Sequence, residues 1–386
     1  MQFWYGLAQL IGVHTILGLS AYVVLLTGQV TLAQAGFFSI GAFLSGMLTA
    51  IAGWHIVPAL LVAAAAAAAV ATIVGFPALR VKGLMLVVAT IAFGEAVRLF
   101  WLNFTSEVQH LVVGPGPQGG TGFNQIRFFP AHGWTDLDRA LFIWAIMAIV
   151  MAGIWWLDRS RAGAVMRAVG EDGLAAQSVG VNLTVVKVSA FALGGFIAGI
   201  GGTLYAHYTT HIGPNSFGIV LAIFAVAYPI VGGLHNVFGT LAAVIFIQGF
   251  LVEGLRFLGD WRNLLFGFLI VVAMNVSPRG FVSVYRDMSP YWRRRVCGGT
   301  VFTLVLVLAG EAAGDAIVAF TGGLFGRTGL QFNHMAWIVF LVVMPAWSWR
   351  GVIELARMIP AAAKRLHGTF EEAFGRPAAR RPGRPA

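Results

Sequence analysis

No aspartate, glutamate, lysine or arginine occurs before Arg80. A globular domain in water keeps a charged outer face, so this uncharged stretch excludes an ordinary soluble fold. Cysteine is nearly absent too: Cys297 is the only one. That excludes a disulfide within the chain and gives no support to a cysteine-based metal site, and Cys297 reads as an inert thiol near a membrane surface. The only lysines are Lys82, Lys187 and Lys364, which follow Val81, Val186 and Ala363. With no Gly-Lys pair there is no Walker A phosphate loop, so any ATP that drives this protein is hydrolysed on another chain. The first residues, MQFWYGLAQL, lack the basic segment of a secretory signal, and the N-terminus reads as retained.

What remains is mostly apolar: 58% of the residues are hydrophobic and 10% charged. Windows of about 18 or more apolar residues recur, the length that crosses roughly 30 Å of hydrocarbon. A lone segment in lipid must satisfy its own backbone hydrogen bonds, so each is read as a helix. The expected fold is all-α, a polytopic transmembrane bundle. Its core spans are 6–26, 32–52, 56–78, 84–103, 140–157, 188–208, 217–231, 238–257 and a short 264–276. The 49 glycines fit such a bundle, because small residues let helix backbones approach. Gly28, Gly36, Gly41 and Gly46 mark the second span as a close-packing candidate pore helix. The alanine run 63–69 reads as buried between neighbours.

The net charge of +10 sits in a few loops and the tail, so topology explains it before nucleic acid does, with anionic lipid the expected partner. Arg80 and Lys82, then Arg159, Arg161, Arg167 and Lys187, then Arg279, Arg286 and Arg293 to Arg295 mark three cytoplasmic regions. Nine crossings with the N-terminus outside satisfy them, with Arg256 and Arg262 as exceptions on the outer side. Residues 1–285 read as the transmembrane domain, with an external loop at 104–138 and a cytoplasmic loop at 158–187. The external loop holds Gly114-Pro-Gly-Pro-Gln-Gly-Gly120 with Phe128, Phe129 and Trp134, and reads as a contact surface for a soluble partner or as a solvated connection. Residues 286–350 carry two apolar segments that either cross as a hairpin, for eleven spans in all, or lie in the interface. Residues 351–386 read as a disordered basic tail.

The cytoplasmic loop is the most informative segment. Asp158-Arg-Ser-Arg-Ala-Gly-Ala-Val-Met-Arg-Ala-Val-Gly-Glu-Asp-Gly-Leu-Ala-Ala-Gln-Ser-Val-Gly180 is polar and compatible with helix. Ala175 and Ala176 offer small contact surfaces and Gly180 suits a helix end. A short surface helix of this kind suits docking into a groove on another protein. Its structural alternative is an amphipathic connector without a partner.

This loop resembles the "EAA…G" coupling loop of ABC importer permeases. Its surroundings resemble the M-type subunit of the branched-chain amino acid permease family over about residues 1–285. The matching phrases are Thr27-Gly-Gln-Val-Thr-Leu-Ala-Gln-Ala-Gly-Phe-Phe38, Ala78-Leu-Arg-Val-Lys-Gly83, Thr90-Ile-Ala-Phe-Gly-Glu95, Ser160-Arg-Ala-Gly163, Gly202-Thr-Leu-Tyr-Ala-His207, Pro214-Asn-Ser-Phe217, Val231-Gly-Gly233 and Pro278-Arg-Gly280. Gln34 stands where the family often has histidine, and Met85 where an aromatic is usual. The resemblance implies an inner-membrane pore subunit for branched-chain or related amino acids. It also implies a second permease, two cytoplasmic ATPases that use ATP and magnesium, and an external amino-acid-binding protein. Glu171, Asp172, Ala175, Ala176 and Gly180 would form the ATPase-facing helix. No cofactor is expected on this chain.

Glu95 is the residue that composition explains least. Counting from Leu84 places it roughly 17 Å into its span, where a carboxylate is expensive and a functional candidate. Arg98, three residues on, shares its face. The pair reads either as a lock between helices or as part of the substrate path. His207 and His211 have the i, i+4 spacing of helical metal ligands but no carboxylate or cysteine beside them, so they read as interfacial histidines and no metal is expected. Glu311 and Asp315 share that spacing and read as partly exposed or paired with Arg327. The rival function is a stand-alone proton-coupled transporter using Glu95, Glu311 and Asp315, and a urea- or amide-type ABC permease is a nearer alternative. A membrane enzyme is disfavoured, because hydroxyls and histidines are scattered without catalytic spacing.

Overall fold

The computed structural model describes residues 2–78, 81, 83–104, 116–124, 126–234, 236–254 and 267. The chain divides into two compact units, residues 1–253 with 279–282 and residues 254–278 with 283–386. The helices below lie in the first, except that Gly254, the last residue of the final one, is assigned to the second. The expected segment 264–276, Arg256, Arg262, Cys297, Glu311, Asp315, Arg327 and the basic tail lie outside the described residues.

Among the described residues eleven α-helices follow one another: α1 (Gln2–Leu25), α2 (Gln34–Ala50), α3 (Ile56–Ala78), α4 (Leu84–Asn103), α5 (Phe128–Ala131), α6 (Asp136–Arg159), α7 (Arg161–Glu171), α8 (Gly173–Ser178), α9 (Leu183–Thr209), α10 (Ile219–Gly232) and α11 (Val237–Val244). A π-helical stretch, Ile245–Gly254, continues α11. Single 3-10 turns occupy Gly119–Thr121 and Pro214–Phe217. No strand occurs among the described residues, where only Phe123 and Ile212 form an isolated bridge. The fold is an all-α membrane bundle.

Among the described residues, six helical segments have the length and apolarity to cross a bilayer: Trp4–Leu25, Ile56–Ala78, Leu84–Asn103, Asp136–Arg159, Leu183–Thr209 and Pro214–Gly232. The expected second span comes out shorter, as Gln34–Ala50, while the helix expected over 238–257 runs from Val237 to Gly254, beyond which the expected end lies outside the described residues. The second span loses its first residues because the Leu32 amide donates to the Thr90 hydroxyl at 3.0 Å instead of entering a helix. Gly28 lies in the turn that closes α1 and is no part of α2. The fifth span starts earlier than expected, because Thr135 and Asp138 close a reciprocal cap that begins α6 at Asp136.

The bundle is organised around α9, whose central stretch 194–202 holds five glycines. A Cβ at Gly202 would fall on the Phe38 carbonyl of α2, and one at Gly41 on the Gly199 carbonyl of α9. On the same helix, Gly195 and Gly199 face Ala63, Ala64, Ala67 and Ala71 of α3, and Gly194 faces Ser20 and Val24 of α1. Three helices thus meet α9 at backbone distance, where van der Waals contact replaces the hydrophobic force that lipid removes. The alanine run is correspondingly one-sided: Ala63, Ala64 and Ala67 are fully buried, whereas Ala65 and Ala69 are exposed. Burial on all sides, as expected from composition, is corrected to a single packed face.

The external segment also differs from expectation. Phe128 and Phe129 do not offer a free surface; both are buried, and they pack with Ile56 at the start of α3. Phe123 and Ile126 are fully buried against the bundle, beside Gly46 of α2. The same fold covers His207, which is 1% exposed, with Nε2 3.0 Å from the Thr49 hydroxyl and Nδ1 2.8 Å from the Thr203 carbonyl. His207 is thus packed inside the protein, in the last turn of α9. No group of three metal-ligating side chains occurs among the described residues.

Candidate functional site: a braced surface helix and an ion pair on the bundle wall

The chain leaves α6 and reverses at once. Ser160 is extended, its amide closing α6 onto Leu157 and its hydroxyl accepting from the Gly163 amide at 3.3 Å to open α7. Gly163 has no room for a side chain, because a Cβ would lie 2.8 Å from the Asp158 Cα. Arg167 then reaches back to the Asp158 carboxylate and donates to its carbonyl at 2.6 Å. These contacts explain the Ser160-Arg-Ala-Gly163 phrase: it builds a stiff hairpin between a spanning helix and a surface one.

The segment expected to form one helix is two, α7 and α8. Asp172 is extended and caps α8, its Oδ1 accepting from the amides of Leu174 (2.9 Å) and Ala175 (3.0 Å). Gly180 closes the other end at φ +88°, with its amide bonded to Gln177 and the next amide to Ala176. Glu171, Asp172 and Ala175 are exposed, but Ala176 points inward at 5% exposure and is withdrawn from any partner. In its place stand two side chains that sequence reasoning missed, Leu174 at 79% and Val179 at 78% exposure. Replacing Asp172 by alanine should cost about 1 kcal/mol of α8 stability. Amide exchange at Leu174 and Ala175 should then quicken about fivefold, with Asp172→Asn close to wild type.

The second cluster lies midway along α4. The Glu95 carboxylate accepts from Arg98 Nε at 2.7 Å, and Arg98 Nη1 donates to the Asn215 side chain at 2.9 Å. Asn215 comes from the 3-10 turn that precedes α10, so the pair ties α4 to that turn. Sequence reasoning missed Asn215, although it sits within the Pro214-Asn-Ser-Phe217 phrase. Beside the carboxylate opens a small cleft lined by Leu32, Ala35, Gly94, Phe217 and Ile219. The Glu95 and Arg98 side chains remain 36% and 23% exposed. Around them α4 buries only Leu86, Thr90, Gly94 and Trp101, while Leu84, Met85, Val88, Leu99 and Phe100 stand open.

The four glycines singled out from sequence serve different contacts. Gly36 meets Phe93 and Gly94 of α4, Gly41 meets α9, and Gly46 meets Phe123 and Ile126. Gly28 has φ +72° and lies against Gly170 of α7. Gln34, at the start of α2, is fully buried, and neither amide atom finds a partner among the described residues. A separate buried network joins His14 of α1, Tyr228 of α10 and Gln248 of the π-helical stretch: Gln248 donates to the Tyr228 hydroxyl at 2.6 Å, which lies 2.8 Å from His14 Nδ1.

No solved structure matches the chain. The profile of the family described as branched-chain amino acid transport system / permease component matches residues 5–274. The high-affinity branched-chain amino acid transport system permease protein LivM of Salmonella typhimurium is 29% identical over 299 residues, 71% of this chain and 68% of that protein. LivM of Escherichia coli is 29% identical over 305 residues, 72% and 70% of the two chains. The ribose import permease protein RbsC of Escherichia coli is 25% identical over 268 residues, 66% and 78%. With its multi-pass helical bundle, the chain belongs to the family of branched-chain amino acid transport system permease components and is a permease subunit of an ABC importer.

Proposed function

We propose that this subunit works in the bacterial inner membrane beside a second permease and two cytoplasmic ATPases, passing branched-chain or related amino acids from an external binding protein. ATP and magnesium act on the ATPases, and this chain supplies the pathway and the lever. The observation that carries the reading is α8, a six-residue helix capped at both ends and braced through α7, with Leu174 and Val179 standing out to solvent. Exposed apolar side chains on a fixed helix suit a partner's groove. Glu171 and Asp172 flank them and Gly180 ends the element.

The α4 wall supports the rest. A carboxylate and a guanidinium midway along a spanning helix are costly against hydrocarbon, yet both are partly exposed. This face therefore turns toward a protein surface or a water-filled path. In the proposed complex it faces the second permease across the substrate path, with Glu95 and Arg98 at its edge.

The test is reconstitution of the chain with its sister permease, ATPases and binding protein in liposomes, followed by leucine uptake. Uptake should require ATP inside. Leu174→Asp should lower ATPase co-purification about fivefold while the two permeases stay together. Leucine uptake by the purified chain alone, driven by a proton gradient, would overturn the reading.

A further inference from the structure

We propose that Gly28 and Gly170 form a joint that carries the movement of the ATPase-docking segment into α4, through the loop 26–33 and the hydroxyl of Thr90. This rests on the docking role given to α8 above and names the parts that transmit it.

The joint is backbone against backbone. A Cβ on Gly170 would fall on the Leu26 carbonyl, 3.0 Å from the Gly28 amide nitrogen and 3.2 Å from the Thr27 carbonyl carbon. A Cβ on Gly28 would in turn lie 2.9 Å from the Gly170 carbonyl oxygen. Gly28 is held at φ +72°, a conformation that favours glycine, so the loop keeps its shape at the contact. With no flexible side chain between them, a shift of α7 has nothing to absorb it before the loop.

The loop itself is stiffened from within. Thr27, Gln29 and Thr31 are all buried. The Thr27 hydroxyl donates to the Val24 carbonyl at 2.8 Å, and the Thr31 hydroxyl accepts from the Ala33 amide at 3.2 Å. The loop ends on α4: the Leu32 amide donates to Thr90 Oγ1 at 3.0 Å. Thr90 is 1% exposed and lies five residues before Glu95 on α4. Leu32 and Ala35 line the cleft beside that carboxylate, and Gly36 packs on Phe93 and Gly94. An unbroken series of contacts therefore runs from α7 to the Glu95–Arg98 pair. On the other side, α7 is anchored to α6 by the Arg167–Asp158 pair, which makes Gly170 the free end of the lever.

The experiment uses the assembled four-subunit complex, with Cys297→Ser and Ile219→Cys placing one thiol at the cleft. Maleimide labelling is compared between the nucleotide-free and vanadate-trapped states, a readout that needs no transported solute. The expected result is at least a threefold change in labelling rate on trapping. Gly170→Ala and Thr90→Val should abolish that change in complexes that still co-purify with the ATPases and hydrolyse ATP, and Thr90→Ser should restore it. A trapping response of wild-type size in both Gly170→Ala and Thr90→Val, or none in the parent, would overturn the joint. Failure of the docking reading is separately visible, because Leu174→Asp would then leave ATPase co-purification unchanged.

Discussion

Gly202→Val is expected to reduce the protein in the membrane fraction to a trace. The new Cβ would coincide with the Phe38 carbonyl of α2, and its surroundings include the Ala42 amide nitrogen at 2.9 Å. Both are backbone atoms, so no rotamer change relieves the overlap and α2 must leave α9. Overpacking of this kind costs about 3 kcal/mol. In a bundle held mainly by close backbone approach, that loss opens a large part of the core. Immunoblots of membranes and size-exclusion of the solubilised chain measure it. A variant that accumulates and elutes like wild type would show that α2 and α9 separate freely.

Arg98→Ala is expected to lower uptake by the assembled importer about thirtyfold. It leaves Glu95 without its ion pair midway along α4. A lone charge at the bilayer centre costs about 3 kcal/mol on insertion scales. Because Glu95 keeps 36% of its surface, water recovers part of that, leaving about 2 kcal/mol. Removing both charges, as Glu95→Gln with Arg98→Gln, should recover the stability lost with Arg98. Uptake by that double variant then separates two roles. Full recovery makes the pair a lock between α4 and the Asn215 turn, whereas assembly without uptake keeps it on the substrate path.

Much of this architecture is readable residue by residue. The bounds of α3 and α4 agree with the sequence expectation, because Trp54-His55, Arg80 and Gly83 interrupt the apolar runs on either side. The Glu95–Arg98 contact follows from i, i+3 spacing alone. Asn215 does not, since it lies 117 residues from Arg98 and reaches it only when the segment after α9 folds back. The inward turn of Ala176 is likewise hidden, because six residues are too few to show a helical period. Gly28 is no part of the second helix, because with φ +72° it sits in the turn that ends α1, its amide bonded to Leu25. His207 reads as a residue at a helix end and Phe129 as part of an exposed loop, and their burial emerges only when Phe128 and Phe129 fold against His207 and the start of α3.

The sparse cover on α4 has a consequence for how much of this chain a cell keeps. A copy that never meets a protein surface along that helix would present its carboxylate and guanidinium to acyl chains, drawing headgroups and water inward and thinning the leaflets around it. Such a copy is a marked target for membrane proteases. Surplus synthesis would then be trimmed to the supply of companion subunits, with no dedicated regulator.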